Sequence, residues 1–328
     1  MHHFLFKIIL FLFSTYLFVK FRSFISLKLC LIDYPNERKK HTKPTPLIGG
    51  LIFFTLITEY IIYDFFAEKN IVDFKIFFLA SIIFFIGLMD DIKNINPWIR
   101  LFLIFSIFFT FFQFFPEYSI KKLNFNSLNK EIFLGNFSLF FSALCIALLL
   151  NAFNMTDGIN GLFLGLSIIS FSYIYISYET NYSSYLFWII VILFILFFLN
   201  KLNFFFMGDS GVYLISAILG ICIMSAYNSK FSNIKSVEEI FLLLCIPGID
   251  MFRLFITRLL NKKNPFMPDR NHFHHLLQLK FNNNWTICAY FLLTLIALLL
   301  QYIDTNIIYS IFILIAIYLC IIWYLKRI

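Results

Sequence analysis

The sequence predicts an all-α, polytopic membrane protein. Of its 328 residues, 61% are hydrophobic and only 13% are charged, whereas soluble domains carry about 25% charged residues. The mean hydropathy is +0.85. Apolar runs long enough to cross a bilayer recur along the whole chain. They are continuous rather than alternating, which favours membrane helices over barrel strands.

Eleven apolar segments account for most of the chain. Because no polar linker divides them into groups, we expect one membrane domain over residues 1–328. The first segment has few positive charges before it and no small-residue cleavage site, so we expect it to be retained as a helix. The segments lie near residues 4–20, 48–65, 73–89, 99–115, 137–153, 159–177, 184–200, 211–227, 237–257, 285–302 and 306–325.

Basic residues are divided unevenly between the two ends of these segments. Counted from the N-terminus, the odd-numbered loops and the C-terminal tail carry at least twice as many Lys and Arg residues as the even-numbered loops. Because basic residues favour cytoplasmic loops, we predict an N-terminus outside and a C-terminus in the cytoplasm. Much of the net charge of +8 then faces anionic headgroups and nucleotides, and we expect no nucleic-acid partner.

Five polar clusters fall on the loops predicted to be cytoplasmic. Charged groups are costly at membrane depth and usually serve a function there. Because the five clusters share one side, we expect them to converge on one site at the cytoplasmic boundary. They read DYPNERKKHTKPTPLIGG (33–50), GLMDDIKNINPWIRL (87–101), NAFNMTDGINGL (151–162), FFFMGDSGVYL (204–214) and NPFMPDRNHFHHLL (264–277).

The residue types in these clusters suit phosphate chemistry. Oxygen ligands of this kind prefer Mg²⁺ or Mn²⁺. Histidine and arginine side chains clamp phosphate oxygens, and GDSG at a helix start offers free backbone N–H groups. Together these features are typical of phosphoryl transfer. The oxygen donors are Asp90, Asp91, Asp157, Asp209, Asn151 and Asn154.

Each cluster also has a simpler interpretation. The two carboxylates at 90–91 could end a helix in solvent, the Asp157–Gly158 pair could form a turn, and the histidines could bind zinc. A transporter would place its binding groups near the bilayer midplane rather than at helix ends. A lipid-binding scaffold would not need the acidic and histidine clusters together. Their joint occurrence on one side favours an enzyme.

In the order and spacing of these motifs, the chain resembles the polyprenyl-phosphate N-acetylhexosamine-1-phosphate transferases, glycosyltransferase family 4. The resemblance implies a plasma-membrane enzyme of ten or eleven helices with a cytoplasmic active site. It implies Mg²⁺-dependent transfer of a sugar-1-phosphate from a UDP-N-acetylhexosamine to a polyprenyl phosphate such as undecaprenyl phosphate, with release of UMP. Membrane lipids and a homodimer are further expectations.

The motif DRNHFHH together with RKKH resembles the branch that uses UDP-N-acetylglucosamine. The alternative is another UDP-N-acetylhexosamine, for example a 6-deoxy sugar. Many bacterial relatives read DGIDGL where this chain reads DGINGL. Asn160 keeps hydrogen-bonding capacity but lacks a carboxylate, so the resemblance supports no direct catalytic duty at this position.

From this resemblance and the residue chemistry we expect the following roles. Asp209 and Asn154 are the expected metal ligands, and Asp90, Asp91, Asp157 and Asp209 form the expected catalytic set. Asp90 or Asp91 would orient or deprotonate the lipid phosphate. We expect Arg100 to contact the lipid phosphate, and Asp157 and Asn160 to contact the nucleotide-sugar. The expected contacts of the diphosphate are Arg270, His272, His274 and His275. Further substrate contacts are expected from Asn151, Asn154 and Asp269, and candidates for binding anions are Lys43, His41 and Lys39.

The ninth segment contains CIPGIDMFR (245–253). Proline and glycine inside an apolar segment interrupt a helix, and acidic and basic residues three apart lie on the same helical face. We therefore predict a broken ninth helix with an Asp250–Arg253 ion pair close to the site. Simple helix packing is the alternative interpretation.

Overall fold

A computed structural model describes residues 2–35, 43–68, 74–178, 183–265, 270–303 and 307–326. These residues form fourteen α-helices and two short antiparallel ribbons, which confirms the all-α class. The helices are α1 (His2–Lys20), α2 (Arg22–Lys28), α3 (Gly49–Tyr63), α4 (Phe74–Lys93), α5 (Pro97–Phe114), α6 (Ser138–Asn154), α7 (Leu162–Ser177), α8 (Ser183–Lys201), α9 (Gly208–Asn228), α10 (Val237–Leu243), α11 (Cys245–Leu260), α12 (Phe273–Leu277), α13 (Asn283–Ile303) and α14 (Ile307–Lys326).

The strands are shorter than the helices and lie in the connections. β1 (Ile32–Asp33) pairs with β2 (Thr45–Pro46), and β3 (Lys122–Phe125) pairs with β4 (Lys130–Phe133). A π-helical turn, Asp64–Glu68, extends α3. Three-residue 3₁₀ turns precede β3, connect β3 to β4 and precede α6.

Each of the eleven predicted segments coincides with a helix or, for the ninth, with a helix pair. Over the described residues, eight helices are long and apolar enough to cross a membrane, or nine if α10 and α11 form one span. The remaining two segments are α7, which has only 16 residues, and α4, which carries four charged residues. The protein is therefore a multi-pass membrane protein, while a count of eleven crossings and the orientation stay predictions.

Helix α9 is the centre of the bundle. Seventeen of its 21 residues are buried, and it packs against α3, α4, α6 and α7. Glycines permit the close approach of α3 and α4. A Cβ atom at Gly50 would clash with the backbone of Gly211, and one at Gly87 would lie 2.7 Å from the carbonyl oxygen of Asp209. These contacts bring α3 and α4 against the first turn of α9.

The two ends of α9 carry different structures. Asp209 lies in its first turn, whereas Tyr227 near its last residue contacts the β3–β4 ribbon. The backbone N–H of Asn124 donates to the Tyr227 hydroxyl at 2.7 Å, and that hydroxyl donates to the carbonyl of Lys122 at 3.0 Å. A helix of this length spans about 30 Å, the thickness of the bilayer hydrocarbon. The ribbon and Asp209 therefore lie at opposite membrane faces.

The predicted interruption of the ninth segment is confirmed. α10 and α11 meet at Leu244 with a bend of 82°. Pro247 lies in the first turn of α11, where a missing N–H removes no intrahelical hydrogen bond. The predicted ion pair is also present, because Arg253 Nη2 lies 2.6 Å from Asp250 Oδ1.

Candidate functional site

The start of α9 is held by a carboxylate from α4. Asp91 Oδ1 accepts the backbone N–H of Asp209 at 2.7 Å, and its Oδ2 accepts that of Ser210 at 3.0 Å. The first N–H groups of a helix have no intrahelical partner, so Asp91 satisfies two of them. Gly208 precedes them with φ of +70°, and a Cβ there would lie 2.7 Å from Asp91 Oδ2. Glycine at 208 thus allows Asp91 to reach the helix start.

The neighbouring Asp90 is buried and holds an arginine. Its Oδ1 accepts the backbone N–H of Ile95 at 2.7 Å, and its Oδ2 accepts Arg100 Nη1 at 2.8 Å. The same Nη1 lies 3.9 Å from Asp209 Oδ2, and the guanidinium lies over the ring of Tyr213. Arg100 therefore lies at the first turn of α5 beside Asp209, where sequence reasoning placed a phosphate-binding cation.

Tyr213 connects Asn154 on α6 to Asp90 on α4. Its hydroxyl accepts Asn154 Nδ2 at 3.1 Å and donates to Asp90 Oδ2 at 3.4 Å. Tyr213 is one turn after Asp209, on the same side of α9. Asn151 Nδ2 instead donates to the carbonyl of Ala147, one turn back in α6, at 3.1 Å. Tyr213 was missed by the sequence analysis, although its i+4 spacing from Asp209 was visible.

The connection between α6 and α7 brings a further carboxylate to the same region. Burial, together with the negative charges of Asp209 and Asp91, raises the pKa of Asp157 well above its usual value. Asp157 is thus within electrostatic range of two of the other three predicted carboxylates. A divalent cation among them would relieve their repulsion.

Asn160 points to a different neighbour. Its Nδ2 donates to Asn203 Oδ1 at 2.6 Å, and the adjacent Gly161 N–H donates to Asn200 Oδ1 at 2.6 Å. Asn200 is buried and also donates to the carbonyl of Phe205 at 2.9 Å. Asn160 thus ties the α6–α7 connection to the α8–α9 connection. Sequence reasoning missed Asn200 and Asn203, and their only signal was their polarity at the end of an apolar segment.

The histidine cluster consists of His272, His274 and His275. Their ring centroids are 4.1 to 6.1 Å apart. A Cβ atom at Gly158 would clash with His274 Nε2. The cluster therefore contacts the connection that contains Asp157, as the convergence of the motifs predicted.

The other basic candidates are more dispersed. Arg270 is exposed immediately before the histidines. Lys43 lines a separate cavity of about 690 Å³ between α2, β2 and the α8–α9 connection, with Arg22, Asn203 and Phe204. Asn203 thus lies between this cavity and Asn160. Lys39, His41 and Asp269 lie outside the described residues.

The donor set suits a metal that needs few protein ligands. Within the part of the chain that the structure describes, no three His, Cys, Asp or Glu side chains are grouped closely enough to hold a metal ion by themselves. Mg²⁺ typically takes one or two carboxylates together with substrate phosphates. The partly exposed Asp209 carboxylate, Asp157 and the Asn154 amide fit that requirement.

Comparison with known proteins bears on this arrangement. Residues 74–227 match the family described as glycosyl transferase family 4. The chain is 31% identical over 278 residues to the undecaprenyl-phosphate alpha-N-acetylglucosaminyl 1-phosphate transferase of Escherichia coli K12, covering 82% of this chain and 74% of that protein. The chain belongs to glycosyl transferase family 4.

Two other proteins with the same name are similar to this chain over comparable lengths. The Yersinia pestis protein is 31% identical over 287 residues, which cover 82% of this chain and 75% of that protein. The Thermotoga maritima protein is 28% identical over 254 residues, which cover 76% and 73%. The region matched by the family 4 description contains the four carboxylates and Arg100 but ends before Asp250 and the histidine cluster. The family match and the names of these relatives together identify the protein as a phosphosugar transferase.

Proposed function

We propose that this protein transfers N-acetylglucosamine-1-phosphate from UDP-N-acetylglucosamine to undecaprenyl phosphate at the cytoplasmic face of the plasma membrane. The names of the relatives above contain undecaprenyl phosphate and the N-acetylglucosaminyl 1-phosphate group, and the UDP donor is what the family resemblance implies. The observation that carries the proposal is the meeting of Asp209, Arg100 and the Asp157 connection with the histidine cluster at one end of α9. That end combines carboxylates that would bind a metal ion with cationic groups that would bind two phosphate-bearing substrates.

Mg²⁺ is the proposed cofactor, and Mn²⁺ would satisfy the same oxygen donors. Asp209 would hold it, with Asn154 or Asp157 as a second donor. Its chemical contribution when bound is to stabilise the charge on the diphosphate and on the departing UMP. Asp91 accepts the backbone N–H groups of Asp209 and Ser210 and so fixes the position of the Asp209 carboxylate.

The reaction makes one phosphoanhydride bond and breaks another. An oxygen of the lipid phosphate attacks the β-phosphorus of the UDP-sugar, and the bond between that phosphorus and the bridging oxygen breaks. UMP leaves with the electron pair. Because a phosphate monoester is largely dianionic at pH 7, no proton need be removed from it. Arg100 would bind the attacking phosphate, and Asp90, already paired with Arg100 at 2.8 Å, would orient that guanidinium.

The histidine cluster would contact the diphosphate of the nucleotide-sugar. It lies against Gly158, next to Asp157, so the diphosphate would lie between the histidines and the metal. Asn160 would act indirectly, by holding the two connections together through Asn203. The exposed Arg270 would add positive charge at the entrance.

The direct test measures UMP release by purified protein given undecaprenyl phosphate, Mg²⁺ and a panel of UDP-sugars. We expect lipid-dependent UMP from UDP-N-acetylglucosamine and its loss in EDTA. Asp209→Asn should lower kcat by about 100-fold or more, because it removes a charge that holds the metal. Glu131→Gln, an exposed change in β4, is the matched control and should retain full activity. UMP release from a different N-acetylhexosamine would correct the donor, and none from any sugar by folded protein would refute the transfer reaction.

A further inference from the structure

A buried carboxylate on α11, Asp250, lies behind the histidine cluster. Asp250 on α11 is 4% exposed. Its oxygens accept the backbone N–H of Phe273 at 3.2 Å and Arg253 Nη2 at 2.6 Å. His272 Nδ1 lies 3.5 Å from Oδ2. One carboxylate thus contacts the histidine segment through both its backbone and a side chain.

The C-terminal helix completes this arrangement. Tyr318 on α14 is fully buried, and its hydroxyl donates to Asp250 Oδ1 at 2.6 Å. The same hydroxyl accepts Arg253 Nε at 2.9 Å, and the Tyr318 ring packs on Phe273 with centroids 5.0 Å apart. Arg253 also donates to the carbonyl of Asn271. Residues 271–273 are therefore contacted by three side chains, those of Asp250, Arg253 and Tyr318.

The histidine segment needs such support. α12 has only five residues, and a helix this short is not stable by itself. His272 precedes its first turn and makes no side-chain capping bond, so the N–H of Phe273 depends on Asp250. Because His274 and His275 follow within that one turn, displacement of residues 271–273 would move the whole histidine cluster.

We infer that Asp250 and Tyr318 are positioning residues that orient the histidine cluster toward the nucleotide-sugar. They do not reach the reacting atoms and act only through residues 271–273. The inference rests on the proposed function, because it assumes that the cluster binds the UDP-sugar diphosphate. It also assigns a part in substrate binding to α14, which lies outside the region matched to the family description.

The most informative variant is Tyr318→Phe, which removes one hydroxyl and keeps the ring on Phe273. Asp250→Asn would leave Arg253 buried beside a neutral partner, so it could reduce folding itself. We expect Tyr318→Phe to raise KM for UDP-N-acetylglucosamine about 10-fold, because the hydrogen bonds of its hydroxyl to the charged Asp250 and Arg253 are lost. KM for undecaprenyl phosphate should stay within about twofold, since Arg100 lies on a different element. If Tyr318→Phe only reduced the fraction of folded enzyme, the apparent kcat would fall and both KM values would stay unchanged.

Tyr173→Phe is the matched control. Its hydroxyl donates to Gln301 at 3.1 Å, so the change removes a tyrosine hydrogen bond between α7 and α13 and leaves residues 271–273 untouched. This variant should leave both KM values unchanged. Equal changes in the two KM values in Tyr318→Phe, or none, would overturn the inference.

Hydrogen–deuterium exchange of the intact protein provides a readout that needs no activity. Tyr318→Phe should speed exchange over residues 271–277 about 10-fold, and Tyr173→Phe should not. If wild-type protein released no UMP while the exchange result held, the transfer reaction would fail and the positioning contact would stand. Unchanged exchange over residues 271–277 in folded Tyr318→Phe would overturn the positioning contact itself.

Discussion

Asp209 is placed by a residue 118 positions earlier in the chain. Both oxygens of Asp91 accept backbone N–H groups at the start of α9, and both oxygens of Asp90 also have donors. Carboxylates with these partners are better suited to orienting neighbours than to removing a proton. Among single residues, Gly158 has an equally specific role, because its missing side chain leaves room for His274.

Gly158→Ala tests that contact. The new methyl group would displace the buried His274 ring, so we expect kcat/KM to fall about 10- to 100-fold. Because the displaced atom belongs to a side chain, the thermal unfolding midpoint should change little. Gly248→Ala is the control, since nothing lies within 4 Å of its added Cβ, and alanine there should retain activity and favour the helix slightly. Wild-type kinetics in Gly158→Ala would remove His274 from the site.

At the scale of elements, the position of the site depends on how closely α3 and α4 approach α9. α4 makes the most extensive contact with α9, and it carries Asp91 to the helix start. Close approach through small residues is the usual way in which membrane helices associate. Gly87 lies at the point where α4 meets the first turn of α9, beside Ser210 and the carbonyl of Asp209.

Gly87→Ala should therefore reduce both stability and activity. Its Cβ would meet backbone atoms, which cannot rotate away, so we expect overpacking to cost about 1–3 kcal/mol in the free energy of unfolding. Thermal unfolding in detergent measures this loss. Gly220→Ala, on the same α9, meets only the side chains of Leu149 and Ile146 at 3.1 Å or more, and should cost less. Equal midpoints for the two variants would contradict the proposed importance of the α4–α9 contact.

At the scale of the whole molecule, the bundle separates a lipid-facing layer from a buried centre. Only 22% of the span is buried in α1, α5 and α14, compared with 94% in α9. α9 connects the two membrane faces, with Asp209 at one end and the β3–β4 ribbon at the other. The distribution of Lys and Arg predicts that the Asp209 end is cytoplasmic. The homodimer also stays a prediction.

Labelling in intact cells tests this orientation. In a cysteine-free background, Leu128→Cys places a thiol on an exposed position of the ribbon, and Lys263→Cys places one on the exposed connection after α11. A membrane-impermeant maleimide added outside should label the first variant and spare the second until the membrane is permeabilised. The reverse pattern would invert the topology and place the candidate site outside.

The sequence alone determined the class of the protein and predicted most residues of the candidate site. Continuous apolar runs of bilayer length permit little besides helices, because lipid offers the backbone no hydrogen-bond partners. Asp209, Arg100 and the histidines stood out because polar groups at the ends of apolar segments are conspicuous. The interruption near Pro247 and the Asp250–Arg253 pair were also predictable, since both follow from local spacing.

Only the tertiary structure decided which of these residues meet. The contacts of Asp91 with Asp209, Asn160 with Asn203 and Tyr318 with Asp250 join residues 43 to 118 positions apart. Hydrophobic periodicity describes which way one helix faces and carries no information about its neighbour. In a membrane the neighbour is chosen by close packing and hydrogen bonds between helices, which exist only once the helices are side by side.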